Sequence, residues 1–180
     1  MVDDELIATC SHIVDNGDVD IETFGGQRQE GQVVEQHEDV DLALITTETD
    51  AIEPLDLETE IHIDEIPVVK VGHPDAVGTW IISLGQVIRL QGNQIFTDIP
   101  CGPGDSGSPL LTLDGTVIGH VTGSMVLIEE PEGLEAPETI VQNYEGQRHV
   151  SRAYTVDPIT QFLDGSASAM SFDEQSRKDV

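Results

Sequence analysis

The sequence predicts an all-β protein, a barrel or a sandwich, and three observations carry the prediction. Short apolar runs recur with turn residues between them. No segment before residue 157 sustains a helical period. Asp114-Gly115, set between Leu110-Leu-Thr-Leu113 and Thr116-Val-Ile-Gly119, marks a tight hairpin, and Gln91-Gly-Asn93 marks another.

The apolar runs fall at residues 5–9, 32–35, 41–46, 67–72, 79–85, 86–91, 94–98, 109–113, 116–122 and 148–155. Each is short enough for a strand, and turn signals lie between them. Between the first two runs, Asp15-Asn-Gly-Asp18-Val-Asp20-Ile-Glu22 is rich in acids. It lacks the Asp-x-[Asp/Asn]-x-[Asp/Asn]-Gly order of a calcium loop, and it reads as a solvated turn. Residues 129–143, rich in Glu and Pro, read as an exposed loop. Pro158-Ile-Thr-Gln-Phe-Leu163 predicts a closing helical turn or two with Asp157 as cap. Residues 165–180 read as a polar, disordered tail. Gly72-His-Pro-Asp-Ala-Val-Gly78 is the expected link between two halves, residues 1–75 and 76–164.

The composition limits what the chain can do. In 180 residues there are 35 acids against seven Lys+Arg, a formal charge of −28, and only Lys70 and Lys178 are lysines. Such self-repulsion opposes compaction at low salt and is screened in concentrated salt, which predicts a halophilic setting. Nonspecific nucleic-acid binding and attraction to anionic membranes both need cations that are scarce here. Aromatics are 4% of the residues, so the core must be built from Val, Ile and Leu. Two cysteines, Cys10 and Cys101, make no disulfide framework, and they read as small buried side chains. No Cys/His set has zinc spacing, and no metal or other cofactor is expected. The opening Met1-Val-Asp-Asp-Glu5 is unlike a signal peptide, so the chain as written is expected in the cytoplasm by default. The oligomeric state is left open.

Chemistry is concentrated in Gly102-Pro-Gly-Asp-Ser106-Gly-Ser-Pro109. Glycines there let a substrate approach the main chain closely, and the arrangement suits a nucleophilic hydroxyl at Ser106. The N–H groups of Gly104 and Ser106 would then face a developing oxyanion. A hydroxyl needs a histidine base, and the histidine needs a carboxylate to fix its tautomer. His12 closes the apolar run Leu6-Ile-Ala-Thr-Cys-Ser, and Asp41 stands at the mouth of Leu42-Ala-Leu-Ile45. Asp41 is preferred to Glu38 and Asp39 because it abuts the strand. His37, His62, His73, His120 and His149 lack a small-residue strand end upstream of Asp41.

The order His12, Asp41, Ser106 resembles the chymotrypsin-like (trypsin-fold) serine peptidases, especially compact microbial members. Ala8-Thr-Cys-Ser-His12 is similar to their Thr-Ala-Ala-His segment. Asp41-Leu-Ala-Leu matches their Asp-Leu-Ala-Leu, and Gly104-Asp-Ser-Gly-Ser-Pro109 their nucleophile motif. An α/β-hydrolase would need Gly-x-Ser-x-Gly and the order Ser, acid, His.

The resemblance implies two six-stranded-type antiparallel β-barrels and a short C-terminal helix, with the first barrel truncated because only eleven residues precede His12. It implies a serine endopeptidase acting on peptide or protein substrates without a cofactor. It makes Asp105 a structural acid that holds the oxyanion turn through a buried pair. It sets the specificity pocket between residues 100–104 and 121–124, with Pro100, Cys101, Val121, Thr122 and Gly123 as substrate-binding positions. Thr122 would supply the hydroxyl that steadies the catalytic acid, and His120 would point away from the cleft with no role. Pro100, at the pocket base and beside Ile99, disfavours Lys or Arg substrates and implies small or apolar side chains. A catalytically inactive peptide-binding protein, or a truncated gene product, is the alternative of a different class, and an esterase with the same triad is a third.

Overall fold

The computed structural model describes residues 1–3, 5–15, 17–47, 53–61, 66–127, 148–163 and 165. The expected loop at 129–143 and, apart from Gly165, the expected tail lie outside those residues. Ten strands account for nearly all regular structure: β1 (Leu6–Thr9), β2 (Asp18–Glu22), β3 (Arg28–His37), β4 (Leu42–Thr47), β5 (Pro67–Gly72), β6 (Ile81–Gln91), β7 (Gln94–Thr97), β8 (Pro109–Thr112), β9 (Val117–Leu127) and β10 (Arg148–Thr155). A short helix, α1, covers residues 157–163. No helix among the described residues is long and apolar enough to cross a membrane.

The strands form two antiparallel sheets. One is open, four-stranded, in the order β1-β4-β3-β2; the other is a closed barrel, β10-β7-β6-β5-β8-β9. Where two barrels are expected, the described strands up to β4 form an open sheet and those from β5 onward a closed barrel. β4 is one of the two interior strands of the open sheet, and Leu42, Ala43, Leu44 and Ile45 are all buried, as a run without polar alternation requires.

β5 belongs to the closed barrel, paired with both β6 and β8. That sheet therefore begins at Pro67, earlier than the expected division between residues 75 and 76. Inside the barrel, Val68, Val87, Ile95, Ile99, Leu110, Ile118, Val121 and Ala153 form one aliphatic cluster. A second cluster joins Leu42 of the open sheet to Val117 of the barrel and to Val156 and Ile159 around α1. This seam fixes the mouth of β4 against the barrel, and Asp41 is the residue immediately before it.

Three local expectations are corrected. The acid-rich stretch at 15–22 contains a strand, β2, whose Val19 and Ile21 alternate with acids and pair with β3. Acids on the solvated side of a strand leave only two apolar residues as a signal, which is why it reads as a turn. The runs at 79–85 and 86–91 are one strand, β6, with a register shift between Val87 and Arg89; a bulge inserts one residue and breaks the alternation. Asp157 lies within the helix and does not cap it: Thr160 N–H donates to Val156 O at 2.9 Å, while the Asp157 carboxylate accepts from the Thr155 hydroxyl.

Candidate active site

His12 sits in a 3-10 turn, Ser11–Ile13, directly after β1. That turn is held from two sides. The buried Cys10 Sγ donates to Val121 O on β9 at 3.2 Å, and Gln36 Nε2 on β3 donates to Val14 O at 3.1 Å. Asp41 ends a second 3-10 turn, Glu38–Val40, and adopts a left-handed conformation (φ 49, ψ 48), which aspartate tolerates better than most residues. His12 N–H donates to Asp41 Oδ1 at 3.0 Å, and His12 Nδ1 lies 2.9 and 2.8 Å from the two carboxylate oxygens. On the other edge of the ring, His12 Nε2 lies 3.0 Å from Ser106 Oγ.

The chemistry of the partners sets the tautomer. A carboxylate only accepts, so Nδ1 carries the proton and Nε2 is left as acceptor for the Ser106 hydroxyl. The carboxylate is largely enclosed, with 17% of the Asp41 side chain exposed against 48% for His12. An enclosed acid, a ring and a hydroxyl in this order can act as a proton relay. The hydroxyl can lose its proton to the ring while its oxygen bonds to an electrophilic carbon.

The turn bearing Ser106 is shaped by its own backbone bonds and by two glycines. Asp105 N–H donates to Gly102 O, Ser108 N–H to Asp105 O and Gly107 N–H to Val121 O. Gly104 has φ +91 and leaves no room for a Cβ beside His73 O; Gly107 has φ +84 and leaves none beside Thr9 Oγ1. A side chain at either place would meet those atoms in a backbone conformation L-residues avoid. Among the described residues, the N–H groups of Gly104 and Ser106 donate to no protein acceptor.

Asp105 is 2% exposed and forms an ion pair of 2.7 Å with Lys70 Nζ, itself 2% exposed. Lys70 Nζ also donates to Pro100 O at 2.7 Å, and Asp105 Oδ2 accepts from Gly102 N–H at 3.0 Å. The pair therefore joins β5 to both ends of the segment leading into the nucleophile turn. Among the described residues, Asp105 Oδ1 is buried without a partner. Sequence reasoning anticipated a buried pair for Asp105 but not its partner. The signal was available: a lone lysine in the apolar run Pro67-Val-Val-Lys-Val-Gly72, on the same strand face as Val68.

His120 is also corrected. It is buried beneath the site, with Nε2 donating to Asp41 O at 3.2 Å and, among the described residues, no partner for Nδ1. Its position in the apolar run Val117–Val121 signalled burial. Thr122 does not reach Asp41. Its hydroxyl donates to Arg152 O and accepts from Arg152 Nε at 3.2 Å. The register shifts there, pairing Arg152 with Gly123 and Ala153 with Val121, so Thr122 is the extra residue of a bulge and its side chain is re-aimed. Among the expected pocket positions, Val121 has its side chain in the barrel core and offers only its backbone. Pro100 is exposed, Cys101 half-buried and Gly123 half-buried. A cleft of about 330 Å³ beside the relay is lined by Ser11, His12, Val14, Asp15, Gln36, Glu38 and Asp41.

Both cysteines are free. Burial, followed by the Asp41 charge, pushes the Cys10 thiol up to about 12, and burial pushes Cys101 to about 11. Cys10, His12 and Asp41 offer donor atoms within 4.8 Å of one another, near enough to share a metal ion. A metal there would have to displace the thiol proton and break the His12–Asp41 bond, so these donors fit the relay better.

Burial lowers the His120 pKa from its ordinary 6.5. The unfolded chain then takes up the proton at a higher pH than the folded one. Folding stability contributed by neutral His120 is present above about pH 6.5 and is lost as pH falls below it. The variant His120→Gln keeps a donor for Asp41 O and cannot titrate in this range. Urea midpoints between about pH 5 and 8 are expected to fall less steeply on the acid side in the variant than in the wild type; parallel curves would refute this.

The family described as "Trypsin-like peptidase domain" matches residues 1–119. A "Probable periplasmic serine endoprotease DegP-like" of Marinomonas sp. (strain MWYL1) is 27% identical over 64% of this chain and 27% of its own length. "Serine protease HTRA4" of Mus musculus is 33% identical over 65% of this chain and 27% of its own. The "Putative protease Do-like 14" of Arabidopsis thaliana is 25% identical over 84% of this chain and 41% of its own. The chain thus spans between about a quarter and two fifths of the length of these curated relatives. Among solved structures, the "HtrA-type protease AlgW with tripeptide" superposes with a TM-score of 0.69 over 91% of this chain and 52% of that one, at 18% identity. At that identity the likeness speaks for the fold.

Proposed function

This chain belongs to the trypsin-like peptidase domain family, and from that premise we propose that it is a serine endopeptidase acting on peptide or protein substrates through an acyl-enzyme. The observation that carries the proposal is the unbroken line of hydrogen bonds from Asp41 through His12 to Ser106 Oγ. Ser106 Oγ bonds to the carbonyl carbon of the scissile peptide as its proton passes to His12 Nε2. The Gly104 and Ser106 N–H groups receive the oxyanion, and Asp41 stabilises the imidazolium. His12 then delivers the proton to the leaving nitrogen as the C–N bond breaks. Water repeats the sequence on the ester and releases Ser106. Pro100, Cys101 and Gly123, with the Val121 and Thr122 main chain, border the side chain before the scissile bond. Pro100 there offers no anion to a basic group, so small or apolar side chains are preferred.

The assembled relay favours catalysis over the alternative of an inactive peptide-binding relic, since binding alone requires no aligned base. The test is labelling by a fluorophosphonate probe in molar salt, where the Debye length is about 3 Å and the −28 charge is screened. Label is expected on Ser106 and on no other residue, and it is expected to vanish in Ser106→Ala. Folded wild-type protein that takes up no label would refute the reading.

A further inference from the structure

We infer that Phe24, His73 and Trp80 form an aromatic shelf that receives an apolar side chain of the protein substrate a few residues from the scissile bond; the inference rests on the peptidase reading above. Phe24 lies at the tip of the β2–β3 hairpin and is 78% exposed; Trp80, just ahead of β6, is 41% exposed. Their rings meet edge to face with centroids 5.1 Å apart, and the His73 ring meets Trp80 at 4.5 Å. Two segments distant in sequence, the β2–β3 hairpin and the β5–β6 connection, therefore place rings together on the surface.

The shelf is continuous with the candidate active site. A Cβ at Gly104 would run into His73 O, and Asp75 N–H donates to Pro103 O at 2.9 Å. The residues bearing the shelf thus pack directly on the turn that carries Ser106. An extended polypeptide advances about 3.3 Å per residue, so a chain held at Ser106 passes over this neighbourhood within a few residues.

Two further observations separate the shelf from an ordinary exposed ring. Trp80 has φ +59, a backbone conformation that is an outlier for so bulky a residue and persists only where its surroundings impose it. The chain also has one Trp and four Phe in all; Phe96 is buried in a core otherwise built of aliphatic residues, while Trp80 and Phe24 are left in contact at the surface. Exposed rings already held in place can bury an apolar side chain with little further ordering.

Trp80 is the only tryptophan in the chain, so its emission reports on the shelf alone. The Ser106→Ala protein in molar salt is titrated with Ser/Gly/Ala peptides in which a single Phe is moved one position at a time. The emission of Trp80 is expected to shift with Phe at one or two adjacent positions and to stay constant with the Phe-free peptide. In otherwise wild-type protein, Phe24→Ala and Trp80→Gly (glycine being at ease at positive φ) are expected to lower kcat/KM for the best peptide about tenfold, mainly through KM. Cleavage of a short ester that ends at the scissile bond should be unchanged. An emission that no peptide moves, in protein whose wild-type parent labels at Ser106, would overturn the shelf and leave the peptidase reading standing. A shift produced by Lys in place of Phe, and not by Phe, would overturn the apolar occupant. Loss of labelling, by contrast, would strike the peptidase reading, and the Trp80 titration would still decide the shelf.

Discussion

Replacing Asp41 by asparagine is expected to lower kcat/KM for peptide cleavage about 10⁴-fold at neutral pH while leaving the fold intact. The carboxylate accepts from His12 Nδ1 through both oxygens and from the His12 N–H. An amide in the same place turns an N–H toward Nδ1 and selects the other tautomer, with the proton on Nε2. That ring cannot receive the Ser106 proton. The left-handed conformation of Asp41 is one that asparagine also adopts, so the substitution tests the proton relay without disturbing the backbone. The loss should shrink at alkaline pH, where hydroxide can take the Ser106 proton in place of the ring. A variant within tenfold of the wild type would show that Asp41 does not orient His12.

The second large effect is structural. Lys70→Met is expected to destabilise the protein by roughly 3–5 kcal/mol, because it leaves the Asp105 charge buried and unpaired. Both partners are 2% exposed, with Nζ and Oδ2 2.7 Å apart, and no rearrangement of surface side chains can bring water to the site cheaply. The double variant Lys70→Met/Asp105→Leu removes both charges and is expected to return close to wild-type stability, measured by urea unfolding in molar salt. It should not regain activity. Gly102 N–H loses its acceptor at Asp105 Oδ2 and Pro100 O loses its donor, so the turn presenting the Gly104 and Ser106 N–H groups relaxes. Loss of one oxyanion donor costs about 10²–10³ in kcat. Recovery of stability and activity together would assign the pair no part in shaping that turn. A single variant as stable as the wild type would remove the burial argument altogether.

Lys70 also shows where the charge pattern of the chain stops being informative. A net charge of −28 describes the surface; it carries no account of one cation taken into the barrel. The aliphatic run around Lys70 marks a strand plainly, yet which face turns inward depends on pairing with β6 and β8. The same is true of His120 and Thr122. Both lie in a run that is legible as a strand. A single bulge in β9 against β10 then moves the Thr122 hydroxyl to Arg152, while His120 lies beneath Asp41.

The sequence by itself determined the strands made of apolar runs, the hairpins at Asp114-Gly115 and Gly92-Asn93, and the order in which His12, Asp41 and Ser106 occur. These are local properties: side-chain alternation, turn chemistry and glycines at positive φ are all written within a few residues. Only the tertiary structure decided that residues 29 and 94 positions from His12 meet its two ring nitrogens, that the cation answering Asp105 is Lys70, and that Phe24, His73 and Trp80 share one surface. Each of those contacts depends on sheet register and on the seam between the open sheet and the barrel, which arise from the burial of many residues at once and belong to no single segment.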